Sequence, residues 1–119
     1  QVREINKYDT IGYGATFKAK SKMVIGTVPL GYADGFNRLF SNNYNITYKN
    51  KKIGIVGRVS MDLITVNLTK VAKNEKLVNK EVEILSNNYS INKISKLIKT
   101  IPYEILTNLG KRYQRRYIT

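Results

Sequence analysis

The chain has no cysteine, no histidine and no tryptophan, and only 8 acidic residues and 2 prolines among its 119 residues. Without cysteine there are no disulfides and no thiolate chemistry. Without histidine, the usual general base and the commonest metal ligand are both missing. The few carboxylates are too sparse for an oxygen cage around a hard cation, so no metal site is expected. Proton transfer carried by this chain must therefore fall to Tyr, Lys, Asp or Glu. No apolar run approaches the roughly 18 residues of a transmembrane helix, and no signal-peptide pattern opens the chain. The expected setting is cytoplasmic, with no membrane contact. The first residue is Gln1 and not Met, so the chain reads as part of a longer protein.

What is present suits one domain around a single core. The hydrophobic share of 42% is too high for a disordered chain. The net charge of +13 allows a nucleic-acid reading, in which a basic β-barrel stacks single-stranded bases on some of the 9 Tyr and 3 Phe. The simpler account is a lysine- and asparagine-rich chain whose lysines fill solvated positions. They are scattered, and the densest basic cluster is Lys111 to Tyr117. No nucleic-acid partner is expected.

Alternation and β-branched content predict strands over residues 2–5, 13–20 and 22–30, the last two joined as a hairpin through 19–22. Pro29 ends the second of these. Residues 31–43 form a long loop with a helical turn at 36–39. Residues 45–48 and 52–56 pair across the link 49–51, and strands follow at 63–67 and 81–85. Ser90 caps a helix with apolar positions Ile91, Ile94, Leu97 and Ile98. Thr100 caps a second, with Pro102 in its first turn and a stop at Gly110. Residues 112–118 return as a strand. Seven or so short strands with glycine-marked turns argue for a mainly β fold, a barrel or sandwich, with two short helices near the C-terminus.

Four motifs carry chemistry. Tyr13, between Gly12 and Gly14, is either an acid/base or an aromatic on a strand face. A phenol titrates at about 10 and needs cations nearby to serve as a base near neutrality. In Gly31-Tyr32-Ala33-Asp34-Gly35, Asp34 can accept from turn amides while Gly35 takes a positive φ. Tyr32 is then packed or presented to a ligand. In Gly57-Arg58-Val59-Ser60-Met61-Asp62, Met61 is either core or a backbone donor to an anion, and Arg58 a solvated residue or a gate charge. Arg112 and Arg115 either bind phosphates or pair with carboxylates to hold this domain to a neighbouring one.

Taken in order, Gly-Tyr-Gly-Ala-Thr-Phe, Gly-Thr-Val-Pro-Leu-Gly-Tyr-Ala-Asp-Gly, Ile-Val-Gly-Arg-Val-Ser-Met-Asp, Ile-Pro-Tyr-Glu-Ile-Leu and Arg-Tyr-Gln-Arg-Arg-Tyr resemble the C-terminal domain of the alanine racemase family, over residues 1–119. The resemblance implies a barrel-like β domain. It also implies a preceding (β/α)₈ barrel, absent from this chain, whose lysine holds pyridoxal 5′-phosphate. It implies a homodimer that interconverts L- and D-alanine for peptidoglycan, or a related racemase of serine or broader specificity. By the same resemblance Tyr13 is one of two catalytic bases and acts on the partner subunit's cofactor. Tyr32 lines the substrate entrance, and the Met61 backbone N–H binds the substrate carboxylate. Arg38, Arg58 and Ile101 line the entrance corridor, and Tyr103 bonds the cofactor phosphate. Asp62 is read as structural. The chain departs from the common pattern at Ser60, Pro102 and Phe17.

Overall fold

The computed structural model describes residues 1–11, 13–72, 76–87 and 89–118, with Tyr13 described in its backbone alone. Its strands are β1 (Val2–Ile5), β2 (Thr10–Ile11), β3 (Phe17–Lys18), β4 (Met23–Val28), β5 (Asn45–Tyr48), β6 (Lys51–Gly54) and β7 (Ile64–Asn67). The helices α1 (Ile91–Leu97) and α2 (Pro102–Thr107) follow. The fold is mostly β with two short helices, as expected. The strands make an antiparallel sheet in the order β1-β4-β7 and two hairpin ladders, β2-β3 and β5-β6. A bridge from Ile55 to Val66 runs the end of the β5-β6 hairpin onto β7. Among the described residues these ladders do not close into a barrel.

Local chemistry fixes several elements. Lys49 and Asn50 both take positive φ, 46° and 64°. That makes the β5-β6 link a two-residue turn whose twist matches its strands. Ser90 caps α1 by accepting from Lys93 N–H, and Pro102 opens α2. The residue before that proline, Ile101, is the extended N-cap, so the cap falls one residue later than Thr100.

Other expectations are corrected. Residues 13–20 are not one strand. A 3₁₀ turn occupies Tyr13–Ala15, where Gly14 and Ala15 take φ of 76° and 50°, outside any extended conformation. Nor does β3 pair with β4. Ala19 accepts from Tyr8 N–H at 2.7 Å and donates to the Asp9 carbonyl at 2.9 Å, which draws residues 17–19 onto β2. The helical turn in the long loop lies at Arg38–Phe40, because the Asn37 side chain caps it by accepting from Leu39 N–H at 2.8 Å. Residues 81–85 form no strand: a single bridge joins Glu83 to Thr47 of β5 through a pair of backbone hydrogen bonds, while Val82 and Ile84 pack against the core. Residues 112–118 form no strand; they are exposed.

Two apolar clusters hold the structure. The larger packs Phe36, Phe40 and Tyr44 with β5 to β7 and α1, and ring centroids 4.6–5.1 Å apart tie these three aromatics together. The smaller joins Ile5, Ile11, Ala19, Met23, Ile25 and Val56. Loop 31–43 is therefore anchored at Phe36 and Phe40, which leaves Tyr32 and Arg38 to project outward.

Candidate functional site

Three loops meet: residues 13–16, 31–42 and 57–63. Tyr32 N–H donates to the Ser60 carbonyl and Ala33 N–H to the Met61 carbonyl, each at 3.0 Å. This close approach requires a glycine at 31, since any Cβ there would overlap the backbone oxygens of Ser60 and Met61. Tyr32 is 47% and Met61 52% exposed, so both face outward and Met61 is not core. The Met61 carbonyl is engaged, whereas its amide N–H finds no acceptor among the described residues.

Asp34 does what its turn predicts. It is buried, its Oδ2 accepts from Gly31 N–H at 3.0 Å, and Gly35 follows at φ 92°. A Cβ on Gly35 would also overlap the Asn108 carbonyl, so this glycine seats the C-terminal end of α2 against the loop. Tyr103 and Ile101, 75% and 60% exposed, stand at the opposite end of α2. They join the site through that helix; among the described residues they make no hydrogen bond or ring contact to the other predicted ones.

Arg58 follows Gly57 and is exposed. A Cβ on Gly14 would lie 2.9 Å from its Nη1, which places the guanidinium beside the residue after Tyr13. Gly12 lies outside the described residues. Arg38 is joined to the same loop through the two residues that follow its turn. Ser41 Oγ accepts from Val59 N–H at 2.8 Å and donates to the Arg38 carbonyl at 2.6 Å.

Asn42 ties all three loops, and sequence reasoning missed it. Its Oδ1 accepts from Gly57 N–H at 2.6 Å, its N–H donates to the Gly57 carbonyl at 3.1 Å, and its Nδ2 donates to Thr16 Oγ1 at 3.2 Å. The available signal was an asparagine pair in a loop, since Asn tolerates the left-handed φ of 54° seen here. Arg112 was expected on phosphates or on carboxylates toward a neighbouring domain, and carboxylates are what it meets. It pairs within this chain, Nε to Asp34 Oδ1 at 3.2 Å and Nη1 to Asp62 Oδ1 at 3.0 Å. The hydrogen bond to Asp62, then the charge of Asp34, hold its guanidinium protonated above the ordinary arginine range. Tyr113 donates to the Asp34 carbonyl. Burial, reinforced by the Asp34 charge, raises its phenol above the ordinary tyrosine value. Among the described residues no group of three or more potential ligands gathers to hold a metal, and no helix is long and apolar enough to cross a membrane.

Comparison with known proteins agrees along the whole chain. The family model for the alanine racemase C-terminal domain matches residues 1–117. The chain is 51% identical to an alanine racemase of Rickettsia rickettsii over 108 residues, 91% of this chain and 30% of that protein. Against that of Rickettsia typhi it is 48% identical over 109 residues, 92% of this chain and 27% of the relative. The alanine racemase of Bartonella henselae, solved with covalently bound pyridoxal phosphate, superposes at a TM-score of 0.92. It shares 38% identity over 99% of this chain and 33% of its own. The biosynthetic enzyme of Pseudomonas aeruginosa superposes at 0.90, with 32% identity over 100% of this chain and 33% of its own. The chain thus spans about a third of the length of the relatives it matches.

Proposed function

The chain belongs to the family of alanine racemase C-terminal domains, and we propose that it serves as the C-terminal β domain of a pyridoxal-phosphate-dependent racemase of alanine. In this reading it supplies a catalytic tyrosine and the substrate entrance to the partner subunit of a homodimer. The enzyme works in the cytoplasm and provides D-alanine for peptidoglycan. The observation that carries the reading is the docking of the Tyr32 and Met61 loops, beside an Arg58 guanidinium that reaches the Tyr13 turn.

The residues present fit the role. A carboxylate needs donors, and the Met61 N–H is without an acceptor while its carbonyl is tied down. Tyr32, exposed beside it, closes the substrate's other side. Tyr103, exposed in the first turn of α2, is free to give its hydroxyl to the cofactor phosphate. When bound, pyridoxal phosphate supplies the electron sink that acidifies the substrate Cα–H. Tyr13 holds or takes the proton on one face of that carbon, and a lysine outside this chain serves the other. Arg38, Arg58 and Ile101 filter what enters. Alanine is the substrate proposed; a serine or broader racemase would share this domain.

The test uses the full-length gene product. It should bind the cofactor, seen as visible absorbance, and racemise alanine. Tyr13→Phe should reduce turnover by about 10²- to 10⁴-fold, chiefly in the direction where the phenol abstracts the proton. Full activity of Tyr13→Phe in both directions would overturn the assignment of this residue. The 119-residue chain alone should be inactive.

A further inference from the structure

We infer that Arg112 is a positioning residue for binding of the substrate carboxylate: it clasps the Tyr32 loop to the Met61 loop and so fixes where the Met61 amide points. The inference rests on the reading of Tyr32 and Met61 as substrate-facing.

At Tyr32 and Met61 the two loops meet through backbone hydrogen bonds, Tyr32 N–H to Ser60 and Ala33 N–H to Met61, while the Ser41 and Asn42 side chains tie them further along, at Val59 and Gly57. Each loop also brings an aspartate to the junction, Asp34 from one and Asp62 from the other. Two carboxylates at one seam repel, and among the described residues the ion pairs to them come from Arg112 and from neither loop. Arg112 comes from the C-terminal tail, 50 residues beyond Asp62, and bonds both. A guanidinium can do this because its planar fork presents donors in two fixed directions; a lysine ammonium is a point charge and fixes neither. The Tyr113 hydroxyl, bonded to the Asp34 carbonyl, sets the tail on the same loop.

Stability accounts for the Asp34 arm of the clasp, whose carboxylate side chain is 9% exposed and costly to leave unpaired, but not for the Asp62 arm. The Arg112 and Asp62 side chains are each about half exposed, at 54% and 52%, and exposed ion pairs contribute little to folding. Registration does account for it. The Met61 N–H shares a rigid peptide plane with the Ser60 carbonyl, which Tyr32 N–H holds, so any slip of one loop past the other turns the Met61 N–H with it. Small displacements of a binding group are costly to a site far in excess of their cost to the fold.

The experiment uses the full-length enzyme and its variants Arg112→Gln, Arg112→Lys and Asp62→Asn. Folding is checked by circular dichroism. KM and kcat are measured in both directions, and the dissociation constant of propionate, a bare carboxylate probe, is measured by calorimetry. For Arg112→Gln the inference expects KM and the propionate constant to rise together by about tenfold, with kcat changed far less. Arg112→Lys should recover part of that loss, and Asp62→Asn, which leaves the Asp34 pair intact, should show a smaller rise. These two keep the test open should Arg112→Gln not fold. Unchanged KM and propionate affinity in folded variants of an active enzyme overturn the clasp and leave the proposed function standing. A wild-type enzyme that neither racemises alanine nor binds propionate overturns both.

Discussion

Gly31 holds an ordinary extended backbone, φ −155°, and is nonetheless confined to glycine by its neighbours. A methyl there meets the carbonyls of Ser60 and Met61, which are backbone and cannot swing aside. Gly31→Ala should therefore lower stability by about 1–3 kcal/mol, read from the thermal midpoint. Gly54→Ala is the control, because its Cβ would meet only Asn45 Oδ1 at 3.5 Å; it should change little. Tyr44 makes the second prediction at this scale. Burial, with Tyr89 adding to it, holds its phenol well above the ordinary value of 10.0. Its hydroxyl donates to the Ile84 carbonyl at 2.5 Å. Above pH about 10 the unfolded chain releases this proton while the folded one keeps it. The stabilisation is thus complete below pH about 10 and falls as pH rises beyond it. Tyr44→Phe should cost about 1 kcal/mol near neutrality. The gap to wild type in thermal midpoint should narrow above pH about 10.

At the scale of elements, what was legible was local. Ser90 announces α1, Pro102 announces α2, and Asp34-Gly35 announces its turn, because each acts within four residues of itself. Illegible features were decided at a distance. The alternation of 16–20 is real, but Ala19 bonds to Tyr8 and Asp9, so β3 joins β2 and not β4. The tail was expected as a strand as well, yet Arg112 turns to two aspartates, and among the described residues no strand edge takes the residues beyond it. The site divides the same way. Tyr32 and Met61 sit in recognisable loops, while Asn42 is visible only once Thr16 and Gly57 are seen beside it. Asn42 offers a test of how the loops are joined. Asn42→Gly keeps the left-handed backbone and loses the side-chain bonds; Asn42→Ala loses both. Ala should thus be less stable than Gly by about 1 kcal/mol. Asn42→Asp, which can still accept from Gly57 but cannot donate to Thr16, should match Thr16→Val, and the double variant should add nothing further. Additive losses in the thermal midpoint would show that the two side chains act separately.

Over the whole molecule, two surface properties oppose each other. The net charge of +13 keeps copies of the chain apart in dilute salt. Tyr32, Met61, Ile101, Tyr103 and Leu106 expose large apolar groups, which the rest of the enzyme would cover in the proposed assembly. Salt screens the repulsion, over about 8 Å at physiological strength, and leaves the apolar attraction in place. Self-association of the isolated chain, followed by sedimentation velocity, should therefore strengthen from low to high salt. The full-length protein should show no such rise beyond the proposed dimer. A basic nucleic-acid barrel would behave in the opposite sense, since its binding rests on counterion release and weakens steeply with salt. Titration with a single-stranded oligonucleotide across the same salt series separates the two. Tight binding that collapses with salt, in a chain whose own association does not rise, would favour the nucleic-acid barrel. Association that rises with salt, with no oligonucleotide bound at physiological strength, identifies these apolar groups as ones made to be covered by protein.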